Sequence, residues 1–219
     1  MDAKEMAVLI DSTELRTDAT DKDIDRLCAD AVKYGFHAIC VYPYWIRHAK
    51  EHLKGSGVKV CTVVSFPHGM SQTKEDACAR AISQGADEID WVMNVSAYLS
   101  GGEFRKRSFA EMERCSDLAK GRDIVLKVII ERPLLPKDIV PTLVEDLLVH
   151  GVEFIKTATG AQGATTPEMV KELSELLRGR AKIKAAGGIR TLSDFQKMID
   201  AGADRVGTSS AVKIVSEAK

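Results

Sequence analysis

The chain has no apolar run approaching the roughly 18 residues that a membrane-spanning helix requires. Its opening segment, MDAKEMAVLIDSTE, has an apolar stretch too short and too closely flanked by acids for a signal-peptide core. It has no CxxC pair. Cys28, Cys40, Cys61, Cys78 and Cys115 are odd in number and scattered, which argues against a disulfide framework and for reduced thiols in a cytoplasmic protein. It has no excess of either charge: 31 basic residues stand against 32 acidic ones. That balance counts against a nucleic-acid partner, since such domains usually carry a basic surplus. HExxH is absent, and GSGVKV at 55–60 precedes a strand, so it is not a dinucleotide-binding loop. No linker or low-complexity tract divides the 219 residues, and one domain is expected.

What is present is alternation. Short β-branched apolar runs are each followed by a longer charged stretch of helical periodicity. The expected strands are 6–11, 37–42, 58–66, 87–94, 123–131, 153–159, 181–187 and 204–209. Start signals open the intervening helices: Thr20-Asp21-Lys22-Asp23, then Thr166 as N-cap with Pro167 at the first helical position, then Thr191 with Asp194 as a variant capping box. Gly35, Gly57, Gly85, Gly151 and Gly202 sit where helices end and the chain turns into the next strand. Eight βα units in this length predict an α/β fold, a single-domain (β/α)8 TIM barrel.

In such a barrel the active site lies at the C-terminal ends of the strands, so polar residues inside apolar strands are the informative ones. Lys156 in EFIKTATG and Lys184 in AKIKAAGG fall on neighbouring strands six and seven. If both point inward, the like charges disfavour double protonation, and one amine becomes available to attack a carbonyl. The alternative is that both snorkel to solvent at the mouth. Asp90 in DEIDWVMN shares a face with Glu88 and Val92, and serves either proton transfer or a structural ion pair. Asp11, late in expected strand one, is a second inward carboxylate or a helix cap. Gly187-Gly188-Ile189-Arg190 and Gly207-Thr208-Ser209-Ser210 follow strands seven and eight, where this fold recurrently binds phosphate; ordinary turns are the alternative. His48 and His52, four apart, read as a solvated helix face, because a metal site needs more ligands. Cys40 reads as a barrel-core thiol, His68 as a mouth or loop residue, and Trp91 as packing against the helices.

The segments LIDSTELRTDAT, ICVYP, VSFPHG, GADEIDWVMN, LKVIIE, FIKTATG, IKAAGGIRT and ADRVGTSS, in this order, resemble the deoxyribose-phosphate aldolase family along nearly the whole chain. The KTxTG and KxxGGIR segments with EID upstream are the most specific. The resemblance implies a class I aldolase that reversibly splits 2-deoxy-D-ribose 5-phosphate into D-glyceraldehyde 3-phosphate and acetaldehyde, with no metal and no cofactor. It implies Lys156 as the Schiff-base nucleophile, Lys184 as its partner lysine, Asp90 as the proton-relay carboxylate and Asp11 as an orienting group. Thr159, Gly187, Gly188, Ser209 and Ser210 match positions around substrate and phosphate, and Cys40 a cysteine near the pocket. A homodimer is implied, with no membrane partner. Ser12, Ala158, Ala161, Arg132-Pro133 and the loose MNVSAYLSG depart from the family pattern. Ala161 and Arg132-Pro133 flank the expected pocket and bear on substrate preference more than reaction type. Two other readings stay open: a related aldolase for another sugar phosphate, and a sugar-phosphate binding protein without catalysis.

Overall fold

The computed structural model describes residues 1–218. The chain runs α1 (Ala3–Ala7), β1 (Ile10–Glu14), α2 (Asp21–Tyr34), β2 (Ala38–Val41), α3 (Ile46–His52), β3 (Lys59–Val64), α4 (Lys74–Ser83) and β4 (Glu88–Val92). It continues α5 (Val95–Ser100), α6 (Gly102–Lys120), β5 (Val125–Ile129), α7 (Val140–Val149), β6 (Phe154–Lys156), α8 (Pro167–Leu177), β7 (Lys182–Ala186), α9 (Leu192–Asp200), β8 (Arg205–Thr208) and α10 (Ala211–Glu217). The strands follow one another around a closed parallel barrel, and β1 pairs with β8 to seal it. The single-domain (β/α)8 barrel is therefore the fold. No helix among the described residues is long and apolar enough to cross a membrane.

Seven of the expected strands contain the observed ones. The first is displaced. Residues 3–7 form a helix because Asp2 and Glu5 make a reciprocal capping box: the Asp2 carboxylate accepts from the Lys4 and Glu5 amides at 2.8 and 2.9 Å, and Glu5 accepts from the Asp2 amide at 2.8 Å. β1 thus begins at Ile10, and Asp11 lies near its start, deep in the barrel, rather than near its end. The Thr191–Asp194 capping box forms as the spacing predicts, with both reciprocal bonds at 3.1 Å. Between β4 and β5 the chain inserts two helices where one was expected.

Strand alternation divides the interior. Outward side chains such as Ile39, Val60, Ile89, Val128, Ile155 and Val206 pack under helix residues including Ile24, Leu143, Leu173, Phe195 and Ile214. Trp91 is among them, fully buried, with the Lys74 ammonium 4.1 Å from its ring centroid. Each such aliphatic side chain contributes about 1.5–3 kcal/mol, so this belt between sheet and helices is the main core. Inside the barrel Ala38, Cys40, Cys61 and Val63 form a small apolar cluster on β2 and β3. Beside them the lumen holds an ionic cluster built on β1 and β4 to β8.

Candidate active site

β6 and β7 lie in register with Lys156 opposite Lys184, and β4 and β5 with Asp90 opposite Lys127. All four side chains therefore project into the same lumen. Lys156 Nζ and Lys184 Nζ each donate to Asp90 Oδ2 at 2.8 Å. Lys127 Nζ donates to the other oxygen of Asp90 at 3.1 Å and to Glu88 at 2.5 Å. Lys184 also pairs with Asp11 at 2.5 Å, and Arg205 holds the second oxygen of Asp11 at 2.9 Å. At the lower end Glu88 meets His37 Nε2 at 2.8 Å.

Burial raises the Asp90 pKa, and the charges of Lys127, Lys156 and Lys184 more than reverse that, holding the carboxyl well below its usual range. Burial pulls Lys184 down, but Asp11 and Asp90 outweigh it and carry the ammonium well above its ordinary value. The depressed amine expected of a lysine pair is therefore not Lys184, which anions grip on two sides. It is a fixed cation beside Lys156.

A cavity of about 560 Å³ opens over these groups at the C-terminal ends of the strands. Of the three interior lysines only Lys156 lines it; Lys184 and Lys127 lie sealed beneath. Thr159, Gly187, Gly188 and Ser209 share its wall with Arg190. The Thr159 hydroxyl donates to Glu131 at 2.7 Å and accepts the Ala161 amide at 3.1 Å, so it shapes the loop after β6. Gly187 and Gly188 have φ of +100° and +83°. A Cβ at Gly187 would stand 3.1 Å from Gly160 Cα, and one at Gly188 only 2.8 Å from Ala164 Cβ, so the wall there is bare backbone.

Other expected site residues fall elsewhere. Ser210 faces a separate crevice between β1, α2 and α10. Cys40 is fully buried below the cavity, 4.0 Å from Asp90. Arg132 turns away, buried at 4% exposure, and binds Glu172 on α8 at 2.7–2.8 Å; it clamps a helix and leaves the pocket wall. Ala161 is exposed on the loop after β6. His68 lines a neighbouring, more apolar cleft of about 590 Å³ with Met70, Leu99 and Leu134. None of the described residues lining that cleft is a lysine, and the smaller, more polar cavity is the better site for carbonyl chemistry.

Lys127, Glu88 and Arg205 complete the ionic cluster and were not expected to act in it. A lysine at the centre of VLKVI is the signal that marks Lys127: two residues of period put it on the same face as the inward residues of β5. Gly207 is another. A Cβ there would meet Lys184 Cε at 3.0 Å and Ala186 Cβ at 3.3 Å. Gly207→Ala should destabilise the fold by roughly 1–3 kcal/mol and lower turnover, read from a urea midpoint and from kcat.

Residues 5–212 match the model of the DeoC/LacD aldolase family. The chain is 42% identical to a deoxyribose-phosphate aldolase of Caldicellulosiruptor saccharolyticus, covering 99% of this chain and 100% of that one. It is 41% identical to the one from Thermococcus kodakarensis, covering 100% and 99%. Among solved structures, a putative deoxyribose-phosphate aldolase from Coccidioides immitis superposes with a TM-score of 0.92 at 37% identity, over 99% of this chain and 87% of the other. A tetrameric deoxyribose phosphate aldolase from Aeropyrum pernix gives 0.90 at 32%, over 98% and 91%. The lysines and carboxylates thus stand in a barrel of known lineage: the chain belongs to the DeoC/LacD family of aldolases.

Proposed function

We propose that the protein is a class I aldolase cleaving 2-deoxy-D-ribose 5-phosphate reversibly to D-glyceraldehyde 3-phosphate and acetaldehyde. The observation that carries this reading is the reach of Lys156: it alone of the buried lysines meets the cavity, with Lys184 held cationic beside it. The neutral amine of Lys156 attacks the C1 carbonyl of the open-chain sugar, and water leaves to give a protonated imine. The Asp90 carboxylate, acting through water with Lys184 as the neighbouring cation, takes the C3 hydroxyl proton. The C2–C3 bond then breaks, glyceraldehyde phosphate departs, and the imine nitrogen receives the electron pair as an enamine. Protonation at C2 and hydrolysis release acetaldehyde and free the lysine.

The phosphate is assigned to the backbone wall of Gly187 and Gly188, with Ser209 and the Arg190 guanidinium on the same cavity. Remote binding energy there positions the reacting carbons. The electron sink is the imine itself, so EDTA is expected to leave turnover unchanged; a chelator-sensitive rate would remove the metal-free route.

Trapping tests the whole reading. The protein is incubated with acetaldehyde or substrate, reduced with borohydride, and the adduct mapped by mass spectrometry. An adduct at Lys156 is expected; its absence would favour a binding protein without catalysis. The apolar cleft beside Glu131 gives a second reading some support, an aldolase for another sugar phosphate with a bulkier aldehyde. A hundredfold preference in kcat/KM for such a substrate would select it. Five buried, unpaired thiols suit a reducing cytoplasm. On the family resemblance we take the assembly to be a homodimer, which light scattering separates from a tetramer.

A further inference from the structure

On the outer ring of helices, well away from the lumen, the fold brings a third group to the two histidines of HAKEH. His48 and His52 lie one turn apart on α3, their ring centroids 4.4 Å from each other. Asp25 on α2 faces both. Its Oδ1 is 2.7 Å from His48 Nε2 and 3.2 Å from His52 Nε2. The three ligand atoms lie within 4.8 Å of one another.

The protons on these groups are informative. His52 Nδ1 is 2.9 Å from the His48 backbone carbonyl, which only accepts, so Nδ1 carries a hydrogen. Nε2 is then the ring nitrogen left to ligate, and it stands 3.2 Å from the same Asp25 oxygen that His48 Nε2 meets. An Nδ1–H held by a backbone carbonyl is also how metal-binding histidines are oriented. His48 is fixed in turn by Trp45, whose ring packs edge-on at 5.7 Å.

We infer that Asp25, His48 and His52 form a binding site for a divalent transition ion of the zinc class, tying α2 to α3. Two imidazoles and one carboxylate suit zinc and disfavour calcium or magnesium. Zinc–nitrogen bonds of about 2.0–2.1 Å need only side-chain rotation from the observed spacing. The side chains are 31–46% exposed, so an ion enters from solvent and keeps water on its open position. Binding to the folded state alone stabilises it by mass action.

The test uses untagged, metal-free protein. Zinc chloride titration should show one ion bound per chain at micromolar concentration, with a rise in Tm. His52→Ala and Asp25→Asn should each weaken binding by more than the roughly 10–100-fold that loss of an outer partner costs, and remove the Tm gain. Cobalt(II) as a second probe should give ligand-field bands without a thiolate charge-transfer band, which separates this site from the buried cysteines. Absence of binding, retention of binding in both variants, or a thiolate band would each overturn the inference.

Discussion

Lys156→Ala is expected to abolish the borohydride-trapped adduct and to lower kcat by on the order of 10⁴-fold or more, the scale seen when a covalent nucleophile is removed. Neither of the other two lumen lysines can stand in. Lys184 and Lys127 are fully buried and lie outside the cavity, and each is held by two carboxylates. The variant should stay folded, because Asp90 keeps Lys127 and Lys184 as partners after Lys156 is gone. A near-wild-type circular dichroism spectrum with no turnover is the expected pair of results. Residual turnover within a hundredfold of wild type would mean that another amine forms the imine.

Asp90→Asn is expected to produce the largest loss of stability. The isosteric amide keeps the shape and removes the one anion that three ammonium groups share. Breaking a buried ion cluster on one side costs roughly 3–5 kcal/mol, to be read from the denaturant midpoint. Lys127 and Lys184 retain Glu88 and Asp11, so the damage should concentrate on Lys156, and turnover should fall by roughly 10²–10⁴-fold. The pH dependence has a fixed sign. The folded carboxyl titrates well below its unfolded value of about 3.9. Its contribution is therefore complete above that value, and it is lost as pH falls from there through the folded pKa. The wild-type protein should lose stability on that acid limb, and the variant should show a flatter one. Equal acid limbs would show that Asp90 is not the group responsible.

The barrel was legible because its strands are apolar, short and regularly punctuated, and because alternation in a strand fixes which residues share a face. That logic found Lys156, Lys184 and Asp90 together. It failed at the N-terminus, where MAVLID has the apolar content of a strand but the Asp2–Glu5 capping box just ahead of it commits the chain to a helix. It also missed partners that only closure brings near. Asp11 and Arg205 are 194 residues apart and meet because β1 seals against β8. Arg132, a departure from the family pattern expected to flank the pocket, turns from it because a buried guanidinium goes where a carboxylate waits, and Glu172 waits on α8. The third ligand beside His48 and His52 lay on another helix, where sequence spacing along α3 could not reveal it.

The ionic lumen has a division of labour along the chain. Its carboxylates, Asp11, Glu88 and Asp90, stand on β1 and β4, while its cations, Lys127, Lys156, Lys184 and Arg205, stand on β5 to β8. Cut midway, the cylinder would leave one trough lined with acid and another lined with base. Like troughs would repel and unlike ones attract, so only the union of a first half with a second half leaves the lumen neutral. Closure of the ring and neutralisation of its interior are one event.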